Sequence, residues 1–196
     1  MSVVEETSAS GMSRRRRLQL RLGAVIAVAL AAAFLVWFFV VDDDDSDGGA
    51  GVPDEASSAH AASPDEIRQL AASLSYPIYW AGPLPNRTYE LTRTGSGRVY
   101  IRYLPEGVEA GDRDPSYLTV GTYPQANGYA AVRAASRQPR TLVRRTQSGS
   151  LVVFDRNHPR STYFSFPRAR FQVEVFDPKP GRAQALTLSG RIIRVR

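Results

Sequence analysis

One of the chain's two histidines, His158, stands in the run Asp155-Arg156-Asn157-His158-Pro159-Arg160-Ser161. An acid, an imidazole and a hydroxyl at three-residue intervals are the residue types of a relay that activates a nucleophile. Their crowding argues against that use. Three triad members rarely come from one turn, and no G-x-S-x-G elbow occurs to expose a serine. A turn histidine beside proline is the simpler reading. The other histidine, His60, lies in a polar stretch, and no H-x-x-x-H pair or His/carboxylate cluster suggests a metal. Gly95-Ser96-Gly97 lacks the third glycine and the strand-to-helix setting of a dinucleotide loop. With no cysteine in the chain, thiol nucleophiles, disulfides and thiolate zinc sites are excluded. Paired carboxylates for a hydrolase would have to come from "PEGVEAGDRDP" (105–115), or from Asp155 with His158. A solvated connection is the plainer use of that loop. Asn86-Arg87-Thr88 fits a glycosylation sequon, which has no consequence in a bacterial cell. These observations point to no catalytic residue, no metal and no cofactor.

Arginine is the remaining signal. It outnumbers lysine 24 to 1, and that skew first reflects the codon composition of a high-GC bacterium. Arg93, Arg98, Arg102, Arg144, Arg156, Arg168 and Arg170 fall on or beside alternating strands, in the phase away from the apolar residues. A basic face follows, and Arg102, Arg144, Arg156 and Arg168 are its candidate binding residues. Such a face suits lipid headgroups, anionic wall polymers or acidic proteins. Nucleic acid has the same electrostatic appeal, but the location inferred below argues against it. The competing reading is a solvated surface that mirrors genome composition.

The elements that would carry these residues begin at Ser63-Pro64-Asp65-Glu66, a helix start with an N-cap serine, proline in the first turn and glutamate three residues on. Ile67, Leu70, Ala71 and Leu74 then supply one apolar face, and Pro77 closes the helix. Strands follow at 77–82, 88–94, 98–104, 117–123, 141–146, 151–156, 161–166, 170–176 and 191–196. Helices fit 124–138 and 180–189. Gly95-Ser96-Gly97 and Gln147-Ser148-Gly149-Ser150 read as hairpin turns. "YLTVGTYPQANGYAAV" from Tyr117 and "FQVEVFDPKPGRAQAL" from Phe171 match at an offset of about 52–54 residues, which suggests a hairpin–strand–helix unit built twice. The expected fold is α+β: an antiparallel or mixed sheet with helices packed on one face.

The charges divide the chain. Residues 1–21 hold five Arg and two Glu, residues 42–63 hold seven acids and no base, and residues 64–196 hold 20 bases against 10 acids. Between the first two, Leu22 to Val41 is 20 residues without a charge, 12 of them Leu, Ile, Val or Phe. As a helix it would span about 30 Å, the hydrocarbon thickness of a bilayer. Those 12 side chains favour insertion by about 4 to 7 kcal/mol. A cleaved signal would have a shorter apolar core and a small-x-small site just beyond it. Here four aspartates follow, and Ala59-His60-Ala61 comes about 18 residues too late. The sequence therefore predicts a cytoplasmic basic tail (1–21), a transmembrane helix (22–41), an acidic disordered linker (42–63) and an extracytoplasmic domain (64–196). Basic flanks stay inside, so the N-terminus is cytoplasmic. Gly23, Ala27 and Ala31 could form a close-packed helix–helix face.

"PIYWAG", "YELTRTGSGRVYIRYLPEGV", "YLTVGTYP" and "FQVEVFDP", over roughly 77–178, resemble single-pass membrane proteins of high-GC Gram-positive bacteria, a group with no assigned activity. The resemblance implies a plasma-membrane location and carries over no site residue. The expectation is a membrane-anchored binding domain of the cell envelope. An envelope hydrolase using the acidic loop, and an assembly partner acting through the transmembrane helix, are the alternatives.

Overall fold

The chain enters its sheet at β1 (His60–Ala62) and turns at Ser63 into helix α1 (Pro64–Ser73). The structure, a computed structural model, describes residues 59–196. The basic tail, the apolar span with its small-residue face, and the connector up to residue 58 lie outside the described residues. Among the described residues no helix is long and apolar enough to cross a membrane. At the start of α1 the Ser63 hydroxyl accepts from the Glu66 backbone N–H at 3.2 Å, and Glu66 accepts from the Ser63 N–H at 2.6 Å. This is the reciprocal cap that the sequence predicts.

The remaining elements are β2 (Tyr79–Trp80), β3 (Arg87–Arg93), β4 (Val99–Pro105), β5 (Thr119–Pro124), α2 (Gly128–Ala135), β6 (Thr141–Arg145), β7 (Leu151–Asp155), β8 (Ser161–Ser165), β9 (Phe171–Phe176), α3 (Arg182–Leu188) and β10 (Ile193–Arg194). Eight strands form one sheet in the order β1-β3-β4-β5-β9-β8-β7-β6, and β10 pairs with β2 in a separate ribbon. Every ladder is antiparallel. The fold is thus α+β on a large antiparallel sheet, with no parallel pair among the described residues.

Register divides the side chains between two faces. Leu91, Ile101, Val120, Val175, Val173, Phe164 and Val152 share one face. They form the main core with Ile67 of α1, Ala183 of α3, and Ile78, Tyr79, Trp80, Ile192 and Val195 of the ribbon segments. The ribbon crosses β5, where the Tyr79 N–H donates to the Thr122 hydroxyl at 3.2 Å. Tyr103 accepts from the Ala81 N–H at 2.6 Å and Tyr89 from the Leu84 N–H at 2.7 Å. Core aromatics thereby satisfy the main chain of an irregular segment that has no ladder of its own.

Glu90, Tyr100, Arg102, Gly121, Tyr123, Glu174, Tyr163, Leu151 and Val153 share the other face. Helix α2 lies on β7, β8 and β9 there, and buries Val132 and Ala135. The helices therefore occupy both faces, not the single face expected. The cause is visible in β7 and β9, where both phases are apolar or buried and each face needs a cover. Two further differences stand out. His60–Ala62, expected in the linker, adds to the sheet through its main chain, which needs no apolar run. The hairpin turns Thr94–Arg98 and Thr146–Ser150 share one hydrogen-bond pattern, with Gly97 at φ 81° and Gly149 at φ 86°. Yet residues matched at the even offset fall on opposite faces, Val99 against Leu151 and Val120 against Glu174. The two stretches share turn chemistry, and the register places their matched strand residues on opposite faces.

Candidate functional site

The densest polar chemistry in the described residues surrounds Glu174, on the α2 side of the central strand β9. Its side chain is buried, with the residue 6 % exposed. Oε2 accepts from the Tyr123 hydroxyl at 2.6 Å, and Oε1 accepts from Tyr163 at 2.8 Å and from Ser161 at 3.2 Å. The rings come from β5 and β8, the strands flanking β9. Tyr123 leans over Gly121, where a Cβ would stand 2.9 Å from its hydroxyl oxygen. Tyr100 of β4 meets Tyr123 edge-on, with centroids 5.6 Å apart. Burial pushes the Glu174 carboxyl above its ordinary range, and the three hydroxyl donors only partly offset this. Burial and the adjacent carboxylate hold both Tyr123 and Tyr163 well above the usual phenol range, so both remain donors. Every donor here is spent on one internal acceptor, and the arrangement positions strands more readily than it presents a reactive group.

A second polar unit joins β3 to β4 on the same face. Arg102 donates to Glu90 at 2.6 Å, and its other bonds go to the carbonyls of Asp112 at 3.0 Å and Asp114 at 2.7 Å. Its guanidinium also lies over Tyr117, 5.1 Å from the ring centroid. The second Glu90 oxygen accepts from the Gly111 N–H at 2.7 Å. Arg102, a predicted binding arginine, instead holds the 106–118 loop over a glutamate that is 2 % exposed.

The other three predicted arginines are exposed but scattered. Arg144 is on β6, on the opposite face from Arg102 by register. Arg156 follows β7 at one end of the sheet. Arg168 sits between β8 and β9 at the other end, in the left-handed region with φ 67°. The four do not form one face. The His158 region is likewise divided: His158 Nδ1 is 3.6 Å from Asp155, but the Ser161 hydroxyl turns to Glu174. Asp155, Asp112 and Asp114 each accept a backbone N–H two residues ahead, at 2.6, 2.7 and 2.9 Å. The 105–115 loop leaves β4 and Asp155 ends β7, four strand spacings apart, about 19 Å. Glycoside-cleaving carboxylates stand roughly 5 to 9.5 Å apart. No three His, Asp or Glu side chains gather as a metal site among the described residues.

Sequence reasoning missed the Glu174 belt. Its one legible sign is Glu174 itself, an acid in the middle of "FQVEVF" where an aromatic strand offers no charged neighbour. Comparison with protein-family models, curated proteins and solved structures finds no match.

Proposed function

We propose that this chain is a single-pass protein of a bacterial cell envelope, anchored by residues 22–41, whose outer domain binds an anionic partner without catalysing a reaction. One observation carries the reading. From residue 119 to the C-terminus, 14 Arg or Lys side chains are exposed, and the three acids of that stretch, Asp155, Glu174 and Asp177, are half-buried or buried. Among the described residues, all six exposed acids, from Asp65 to Asp114, lie on the other side of that division. These cations stand on both faces of the sheet and at its β6 edge: Arg133 and Arg137 by α2, Arg144 and Arg145 on β6, Lys179 and Arg182 at α3. A potential of one sign concentrates polyanions and speeds their capture, and salt weakens it. Wall polymers with phosphodiester backbones, anionic lipid and acidic proteins share the chemistry this surface would recognise. Outside the cell is where such partners are met, and the basic flank of the 22–41 span favours that orientation.

The test is binding of the full-length protein in detergent micelles to polyglycerol phosphate, followed across salt concentration. Affinity should fall steeply from 50 to 300 mM salt, and reversing Arg133, Arg137, Arg144 and Arg145 to glutamate should abolish it. Salt-independent or absent binding overturns the reading. External protease on intact cells should remove the domain, and protection would refute the orientation.

A further inference from the structure

We infer that the outer edge of β6 is a strand-addition site for an extended acidic segment of a partner protein, an inference that rests on the anionic-partner reading above. β6 ends the sheet order, and among the described residues no strand pairs with its outer side. The hydrogen-bonded positions of the β6–β7 ladder follow from its two ends, where Arg156 N–H donates to the Arg140 carbonyl and Thr146 N–H to the Ser150 carbonyl. Hydrogen-bonded pairs alternate along an antiparallel ladder, so the even residues Leu142 and Arg144 face β7. Val143 and Arg145 then turn both main-chain groups outward, and Thr141 its carbonyl, since the Thr141 N–H donates to the Gln138 carbonyl at 3.3 Å. The Val143 carbonyl confirms the phase: its partner is the Arg144 guanidinium, which reaches over the rim and donates at 2.8 Å.

That contact gives the edge its selectivity. Arg144 covers the one outward carbonyl at the middle of the strand, and an incoming main chain displaces it. The released guanidinium then needs an acceptor, which a carboxylate on the new strand supplies. Arg145 follows it on the opposite face of the strand and Arg140 precedes the strand, both exposed. A second copy of this chain is disfavoured, because edge-to-edge pairing would crowd the Arg140, Arg144 and Arg145 of both copies, and from residue 119 onward the described residues include no exposed acid to offset them. An acidic extended segment meets both requirements: ladder bonds for affinity and alternate carboxylates for choice.

The probe is a fluorescent eight-residue peptide of alternating glutamate and valine, capped at both ends, titrated against the full-length protein by anisotropy. Val143→Pro removes an outward N–H and no β6–β7 bond, a position where an edge strand accepts proline. It should weaken the peptide at least tenfold and leave polyglycerol phosphate binding unchanged. A peptide N-methylated at its valines should bind the unaltered protein at least tenfold more weakly, a result that stands even if the proline variant misfolds. Equal binding of the N-methylated peptide would overturn strand addition, as would no peptide binding where polyglycerol phosphate binds. Failure of both ligands would overturn the underlying reading as well.

Discussion

The Tyr123 hydroxyl lies 2.6 Å from Glu174, 51 residues on in the chain, across the ladder that joins β5 to β9 at the middle of the sheet. Tyr123→Phe removes that donor and leaves a buried carboxyl oxygen without its nearest partner. The expected cost is about 1–3 kcal/mol, the usual penalty for an unsatisfied buried acceptor. Urea denaturation of the two proteins measures it. A difference under about 0.5 kcal/mol would show that the bond contributes little net stability.

Glu174 also sets a pH dependence of unusual sign. Its carboxyl is raised in the fold above the ordinary 4.5, chiefly by burial. Its stabilising contribution is therefore complete below that ordinary value and is lost as pH rises through the higher folded one. Relative to Glu174→Gln, the native protein should be most favoured near pH 4 and progressively less so toward neutrality. Melting temperatures of both across that range test this, and a difference that widens with pH would contradict it.

Glu90 depends on Arg102. Arg102→Met leaves an almost fully buried carboxylate without its cation and frees the 106–118 loop from two of its tethers. A loss of about 3 kcal/mol is expected, at the lower end for broken buried pairs because the arginine keeps some solvent contact. Adding Glu90→Gln should recover part of it. Trypsin cleavage at Arg113 should accelerate in the single variant, and an unchanged rate would show that the loop is held by other means.

Gly128 opens α2 directly over β9. A Cβ there would stand 2.3 Å from the Phe171 carbonyl oxygen and 2.7 Å from its nitrogen, both main-chain atoms that a rotamer change cannot move. Gly128→Ala should destabilise by about 1–3 kcal/mol despite the better helix propensity of alanine. Thermal unfolding reads the sign, and a stabilised variant would mean that α2 shifts freely on the sheet.

Much of the fold was legible because its signals are local. The Ser63 cap, both glycine hairpins and the alternation in β3, β4, β8 and β9 all depend on residues within a turn or two of each other. Sheet order was not, since nothing in Thr119–Pro124 announces that its second neighbour lies 52 residues onward in β9. The arginine prediction failed as a face for the same reason. Alternation assigns each arginine to a side of its own strand, but only the register relates those sides, and it sends Arg102 and Arg144 apart. Arg102 was also indistinguishable from a solvated arginine until its partner Glu90, on the neighbouring strand, came into view.

The two edges of the main sheet have different lengths, three residues in β1 and five in β6. The chain enters at β1, three residues long, and the proposed partner strand would join at β6, seven strand spacings away, about 34 Å. A pull between the proposed anchor and the proposed partner would run across the strands and load the ladders one bond pair at a time, as a zipper is opened. The first to yield would be His60–Ala62 and then the Ser63 cap. Under such tension the domain would lengthen from its β1 side first.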